Sequence, residues 1–319
     1  MNESLQGGTR TRGQSPVKQA GLPVISVITV VYNGLNLIEK TIRSVLSQTY
    51  PNLEYIVIDG CSSDGTVEII RLYEDQINYW ISERDGGIYD AMNKGLAAAS
   101  GDYVWFINAG DLIYSEHILE KIFIEKPYST LEKKGLIYYG DTMIVDPEYR
   151  EIGLRRLRPP EVLTWKSFRK GMLVCHQAII VSREIAEPFD LQYKHSADFD
   201  WVLRALMKAE GKEARGQKGK EKDKSLRIKT GLHVSTSAHQ HISTSAHQII
   251  STSNNQHIIN TRLVLCAFLD GGHSKQNIAI SLKERYHSMV RHYGLIPTLL
   301  RHIPIAVRFG WYFMRNKRF

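Results

Sequence analysis

Apolar residues in this chain follow two alternating periods. ISVITVV, ending at Val31, and YIVID, ending at Asp59, are near-continuous runs of the kind found in strands covered on both faces. Between them, Leu37, Ile38, Ile42, Val45 and Leu46 recur at three- and four-residue spacing, which predicts a helix to about Gln48 with Pro51 at its exit. Gly60 to Thr66 leads into a second helix ending near Tyr73, with Ser63 or Asp64 as N-cap. The stretch from Ile81 to Asp111 repeats the alternation: a strand end, a turn at Glu83 to Gly87, a helix from Ile88 to about Ala99, and a buried strand, Tyr103 to Ile107. Strands alternating with helices from Val24 to Asn108 predict a parallel sheet with right-handed crossovers. In such sheets ligands bind beyond the carboxyl ends of the strands. Those ends here are Tyr32-Asn33-Gly34, Asp59-Gly60, Asp85-Gly86-Gly87 and Asn108-Ala109-Gly110-Asp111.

Beyond Asp111 the pattern loosens. A helix over 115–126, a short strand over 135–140, a basic loop over 150–169 and a strand over 174–181 are expected. A helix follows Ser196, with Trp201, Leu203, Leu206 and Met207 on its packed side. Residues 208–260 break the periodicity. A charged run precedes an octad repeat, HVSTSAHQ, HISTSAHQ and IISTSNNQ, over 233–256. Its histidines admit a metal site, while the compositional alternative is a tandem duplication tolerated in a surface loop. Periodicity resumes at Leu263, continues through the turn at 270–274 that carries His273, and ends in a helix over 278–292. The expected organisation is a flexible polar tail over 1–22, one α/β domain built from 23–207 and 261–293, the insertion over 208–260, and a C-terminal segment over 294–319.

Composition narrows the partners. The net charge of +8 suits an anionic ligand or surface, yet basic and aromatic residues are not interleaved as nucleic acid would require. Cys61, Cys175 and Cys266 are too far apart for a zinc site and odd in number for a disulfide framework, which points to a reducing cytosol. Neither a signal peptide nor a membrane span is expected, since the first residues hold no continuous apolar run and no run reaches the length of a bilayer. The last 26 residues mix apolar clusters and Trp311, Tyr312 and Phe313 with Arg301, Arg308, Arg315, Lys317 and Arg318. That composition fits an anionic membrane surface, or else a helix docked on the domain.

VISVITVVYNG, YIVIDGCSSDGT and SERDGGIYDAMNKGLAAASGDYVWFINAGD, in this order and spacing, resemble the family 2 glycosyltransferases of bacterial polysaccharide biosynthesis. The resemblance is strong over Val24 to Asp111, weaker at HQAII and SADFDW, and resumes at FLDGGHS. It implies a GT-A fold, a Rossmann-like, mostly parallel sheet with helices on both faces. It also implies inverting transfer of a sugar from a nucleotide diphosphate sugar to a hydroxyl of a lipid-linked or growing polysaccharide acceptor, on the cytoplasmic side of the membrane.

By that resemblance Thr29, Tyr32, Asp59 and Asp85 contact the nucleotide, and His176 and Gln177 line the acceptor side. For Thr29 and Tyr32 ordinary strand packing is the competing reading. The family's Asp-x-Asp motif is altered to Asn108-Ala109-Gly110-Asp111, which leaves Asn108 and Asp111 as oxygen ligands for Mg²⁺ or Mn²⁺. Asp198 is the candidate base and Asp200 the fallback, although an acid at either position also suits a helix N-terminus. Two rivals remain: an inactive sugar-nucleotide-binding or scaffold protein, and a nucleotidyltransferase, which would require a phosphate-binding glycine loop that Val30 to Gly34 does not supply.

Overall fold

The computed structural model describes residues 4–14, 18–125, 136–212, 257–271 and 277–301. The octad repeats, His273 and the aromatic residues 311–313 lie outside them. One ten-stranded sheet organises the rest, in the order β1-β4-β3-β2-β5-β9-β7-β10-β6, with β8 paired to β7. Its centre is the predicted parallel unit: β2 (Ile25–Val31), β3 (Leu53–Asp59), β4 (Tyr79–Ser82) and β5 (Tyr103–Phe106). All seven residues of β2 are buried, as its unbroken apolar run requires. Three helices make the crossovers: α1 (Ile38–Leu46), α2 (Thr66–Leu72) and α3 (Ile88–Ala98). At Gly95 α3 lies so close to β2 that a Cβ would come within 2.4 Å of the Ile28 side chain.

The chain runs from β2 outward to β3 and β4, then returns to place β5 on the other side of β2. The crevice between the carboxyl ends of β2 and β5 is therefore a topological switch point. Past β5 the direction changes. β9 (Ile179–Ser182) pairs antiparallel with both β5 and β7 (Ile137–Val145), and β10 (Ile258–Leu269) then runs parallel to β7. β6 (Leu112–Ile113) and β8 (Glu151–Leu154) are short antiparallel additions. The helix α5 (Ala197–Ala209) is held to the sheet by aromatic packing: Trp201 stacks on Phe189 at 5.0 Å and meets Phe106 edge-on at 5.5 Å between ring centroids. The last helix fully described, α6 (Ile278–Tyr293), packs on α5.

Several expectations are corrected. Residues 4–14 are not a free tail. β1 (Leu5–Gly7) adds an antiparallel edge to β4, and the turn after it brings Arg10 to the almost fully buried Glu54. Burial pushes the Glu54 carboxyl up, but hydrogen bonds from Ser26 and Ser100 and the Arg10 charge outweigh it and leave it lowered. A composition reading misses this because the anchoring is one ion pair and a backbone edge, not an apolar core. The expected helix over 115–126 is a single turn, α4 (Ile118–Glu120), continued as a wider π turn to Glu125. The insertion expected over 208–260 is shorter at both ends, since α5 reaches Ala209 and β10 begins at Ile258, paired with Ile137. The strand expected over 174–181 is partly a 3-10 turn, His176–Ala178, which carries two of the candidate site residues.

Candidate active site

Four strand ends converge at the switch point. Asp59 ends β3 fully buried, and its carboxylate accepts hydrogen bonds from the Ser62 backbone N–H at 2.9 Å, the Ser62 hydroxyl and the Ser82 hydroxyl at 2.6 Å. These donors fix the carboxylate's orientation without exhausting its lone pairs. Asn33, at φ 47°, ties the β2 loop to the β3 loop: its Oδ1 accepts from Ser63 N at 3.0 Å and its own N–H donates to Ser62 Oγ at 2.8 Å. Asp85 follows β4, where its Oδ1 accepts the Gly87 N–H at 2.9 Å. A Cβ on Gly60 would lie 2.6 Å from Asp85 Oδ2 and 3.3 Å from the Tyr32 ring, so this glycine lets the two side chains meet. Tyr32 is 67% exposed, a large apolar surface left open at the switch point. Lys94 of α3 holds the glycine turn from below, donating to Arg84 O at 2.7 Å and pairing with Glu83 at 2.8 Å.

Thr29 is not part of this surface. It is fully buried, its hydroxyl donating to Ile107 O at 2.8 Å and accepting from Tyr55 at 3.1 Å, so it braces β2 against β5 and β3. These are the contacts that the strand-packing reading describes. Asp64 is likewise structural, accepting Leu35 N at 3.0 Å and Thr66 N at 3.1 Å at the start of α2.

Across the crevice lies a second constellation. His176 Nδ1 lies 3.3 Å from Asp198 Oδ2, and its Nε2 lies 3.3 Å from Asn108 Nδ2 at the end of β5. If Nδ1 carries the proton and donates to the carboxylate, Nε2 accepts from the Asn108 amide. Asp198 Oδ1 accepts from the Tyr89 hydroxyl at 3.1 Å and from the Phe199 N–H at 2.9 Å. Burial pushes the Asp198 carboxyl up, but the hydrogen bond and charge of His176, the charge of Arg285 and the Phe199 N–H together bring it below the usual range. It is thus an ionised, largely buried carboxylate beside the crevice. Tyr89, whose phenol is pushed well up by burial and the Asp198 charge, stays a neutral donor.

The other predicted residues support this surface from behind. Gln177 is buried, its Nε2 donating to Asp111 Oδ2 at 2.7 Å and its Oε1 accepting from the Cys175 thiol at 2.6 Å, so it does not line the acceptor side. Asp111 Oδ1 also accepts the Leu269 N–H, at 3.3 Å. Burial lifts the Asp111 carboxyl to about 6, against the Gln177 hydrogen bond and the His176 charge. Asp200 sits wholly inside, between Arg204 Nε at 2.7 Å, Ser288 Oγ at 2.8 Å and His292 Nε2 at 2.8 Å. Burial raises its carboxyl, but the His292 hydrogen bond and the Arg204 guanidinium bring it down to about 2. With its neighbours built around it, Asp200 joins α5 to α6 and is closed to solvent.

Among the described residues no three His, Cys, Asp or Glu side chains group to hold a metal ion. One atom does suit a cation. Asn108 Oδ1 is buried with no hydrogen-bond partner, an acceptor left unmade at the crevice. Asp111, the other expected ligand, lies three residues further along the same loop with both oxygens accepting hydrogen bonds, so a cation held here would take Asn108 Oδ1, at most a shared Asp111 oxygen, and substrate phosphates.

Sequence reasoning missed Tyr89, Ser82, Glu284 and Arg285. Tyr89 lies beside the apolar stripe of its helix, and the two α6 residues act on a segment some 90 positions earlier. No local pattern announces either kind of contact.

The comparisons with known proteins fit this architecture. An uncharacterised glycosyltransferase of Mycobacterium tuberculosis is 35% identical over 193 residues, covering 59% of this chain and 71% of that one. The structure of S. aureus TarS 1–349 in complex with UDP-GlcNAc superposes with a TM-score of 0.53 at 14% identity, over 88% of this chain and 73% of that one. The mannosyltransferase PcManGT of Pyrobaculum calidifontis, in complex with GDP-Man and Mn²⁺, gives 0.50 at 18% identity, over 89% and 71%. At those identities the likeness is one of fold, and the fold is the GT-A arrangement. The family model described as glycosyl transferase family 2 matches residues 26–187, from the start of β2 through β9, and so takes in every strand-end loop described above. With more than half its length inside that match, the chain belongs to glycosyltransferase family 2.

Proposed function

We propose that this glycosyltransferase moves a sugar from a nucleotide diphosphate sugar to a hydroxyl of a lipid-linked or growing polysaccharide acceptor, with inversion, and that Asp198 is the base. The observation that carries this reading is the Asp198 carboxylate itself, held ionised by His176 and oriented by Tyr89 across the crevice from the loops of β2, β3 and β4. An inverting displacement needs a proton acceptor opposite the leaving group. Tyr32, Asp59 and Asp85 receive the base and ribose of the donor. The acceptor hydroxyl gives its proton to Asp198 while its oxygen bonds to the anomeric carbon. The bond from that carbon to the diphosphate oxygen breaks, and its electron pair leaves with the diphosphate. A divalent cation shared by Asn108, Asp111 and the donor phosphates would supply positive charge for that leaving group. UDP-GlcNAc in TarS and GDP-Man with Mn²⁺ in PcManGT are precedents for donor and metal on this fold.

The C-terminal segment supports work at a membrane surface, on the cytoplasmic face. Leu295, Ile296, Leu299 and Leu300 are exposed, and the 26 residues from Gly294 to the end contain basic but no acidic side chains. Among the described residues no helix is long and apolar enough to cross a membrane.

The test is a screen of UDP-, GDP- and dTDP-sugars for binding and slow hydrolysis, with Mg²⁺, with Mn²⁺ and with chelator. Metal-dependent release of a nucleoside diphosphate is expected. Tight binding with no hydrolysis, and no transfer on adding lipid-linked acceptor, would favour a nucleotide-sugar-binding protein without turnover. Binding of none of them would refute the proposal.

A further inference from the structure

The helix α6 is built against the segment that carries Asp198. Ser281 bonds to Ser196 through its carbonyl at 3.0 Å and its hydroxyl at 2.7 Å. Glu284 accepts the backbone N–H groups of Lys194 and His195, both at 2.8 Å. Ser288 and His292 bond to Asp200. Positions 281, 284, 288 and 292 thus form one helix face, turned toward the first turn of α5. Arg285 falls on the edge of this face, four residues after Ser281 and three before Ser288.

Its neighbours are committed, whereas one donor of Arg285 is not. Glu284 is spent on two backbone donors, Asp190 pairs with Arg291 at 2.8 Å, and Asp200 pairs with Arg204 at 2.7 Å. The Arg285 Nε is buried with no hydrogen-bond partner among the described residues, a costly state for a charged donor. Ser281 and Ser288, on either side of it, bond to Ser196 and Asp200, on either side of Asp198, and its charge is among the influences that keep the Asp198 carboxyl low. A cation beside the base, with an unmade donor, is a site waiting for an anion.

We propose that Arg285 binds an oxyanion carried by the acceptor, so that the acceptor is an anionic saccharide or a phosphate-bearing polyol and not a neutral sugar. This rests on the reading of Asp198 as the base. In an inverting displacement the incoming hydroxyl and the leaving diphosphate lie on opposite sides of the anomeric carbon. A guanidinium next to the base therefore meets the acceptor, whereas the donor phosphates belong at the Asn108 loop. Arginine suits this role because its planar fork matches carboxylate and phosphate oxygens two at a time.

The test measures binding of small anions to the full chain, with and without saturating nucleoside diphosphate. The probes are glycerol 3-phosphate and glucuronate, with glycerol and glucose as neutral counterparts. Wild type should bind at least one anion and discriminate against its neutral counterpart, and which anion is bound separates phosphate from carboxylate. Arg285→Gln should weaken that binding by roughly ten- to a hundredfold, the range for a lost hydrogen bond between charged groups. Arg285→Lys should keep part of it, and thermal melting of both variants checks folding. Equal binding of neutral and charged probes, no anion binding by wild type, or anion binding untouched in Arg285→Gln would overturn the proposal. So would a loss of nucleoside diphosphate affinity in Arg285→Gln, since that would put the side chain on the donor. Failure of wild type to bind or hydrolyse any nucleotide sugar is a separate result and counts against the function instead.

Discussion

Replacing Asp198 by Asn tests the base with little change of shape. The Asn Oδ1 can keep the hydrogen bonds from Tyr89, now at 3.1 Å, and from the Phe199 N–H, now at 2.9 Å. Its Nδ2 would face His176 Nδ1 as donor against donor, and the tautomer shift that relieves this moves the proton to Nε2. That nitrogen then meets the Asn108 amide, which can turn so that Oδ1, unpartnered in the wild type, accepts. The network therefore closes again with one charge fewer, at a cost to stability of about 1–2 kcal/mol for weaker hydrogen bonds. The kinetic loss is much larger. General base catalysis is worth roughly 10²–10⁴-fold, or about 3–5 kcal/mol of barrier. The assay is nucleoside diphosphate release from the donor found in the screen, alongside the donor Kd by calorimetry and the melting temperature. Turnover should fall by two or more orders of magnitude, with the Kd measured in chelator, where the turned Asn108 amide holds no cation, within about threefold. A variant that keeps more than a tenth of wild-type turnover would remove Asp198 as the base, and a matching collapse of donor affinity would reassign it to binding.

Three further variants test the same geometry. His176→Leu removes two of the influences that lower the Asp198 carboxyl and leaves burial, which raises it, so the acidic limb of the pH–rate profile should move to higher pH; an unmoved limb would separate His176 from the base. Asp200→Asn leaves Arg204 and His292 facing a neutral group, and breaking a buried pair in this way costs about 3–5 kcal/mol, read from denaturant unfolding. Because the Asp200 carboxyl is depressed to about 2, its contribution is fully present above the ordinary carboxylate range and is lost as pH falls from about 4 through 2, so the melting temperature of wild type should drop in that window and that of Asp200→Asn should drop less. Gly60→Ala puts a methyl 2.6 Å from Asp85 Oδ2, which should displace Asp85 or Tyr32 and weaken the donor Kd about tenfold or more, whereas unchanged affinity would place the nucleotide elsewhere.

The sequence by itself determined the parallel half of the molecule. Short apolar runs rich in β-branched residues suit strands covered on both faces, and the helices between them require crossovers, so the carboxyl ends of β2, β3, β4 and β5 gather on one edge. That is why Tyr32, Asp59, Asp85 and Asn108 were legible as neighbours. Thr29 was not, because one residue of strand register separates a side chain at the rim from one sealed under Tyr55 and Ile107. The antiparallel half was decided by tertiary structure. β9 inserts between β5 and β7 from a loop with no regular period, and only that placement brings His176 to Asn108 and Asp198. The choice between Asp198 and Asp200 was closed to sequence as well, since both suit the first turn of a helix. Their difference lies in α6, which supplies Ser288 and His292 to Asp200 and leaves Asp198 facing the crevice. Those contacts join residues roughly ninety positions apart, and a local pattern carries no signal across that distance.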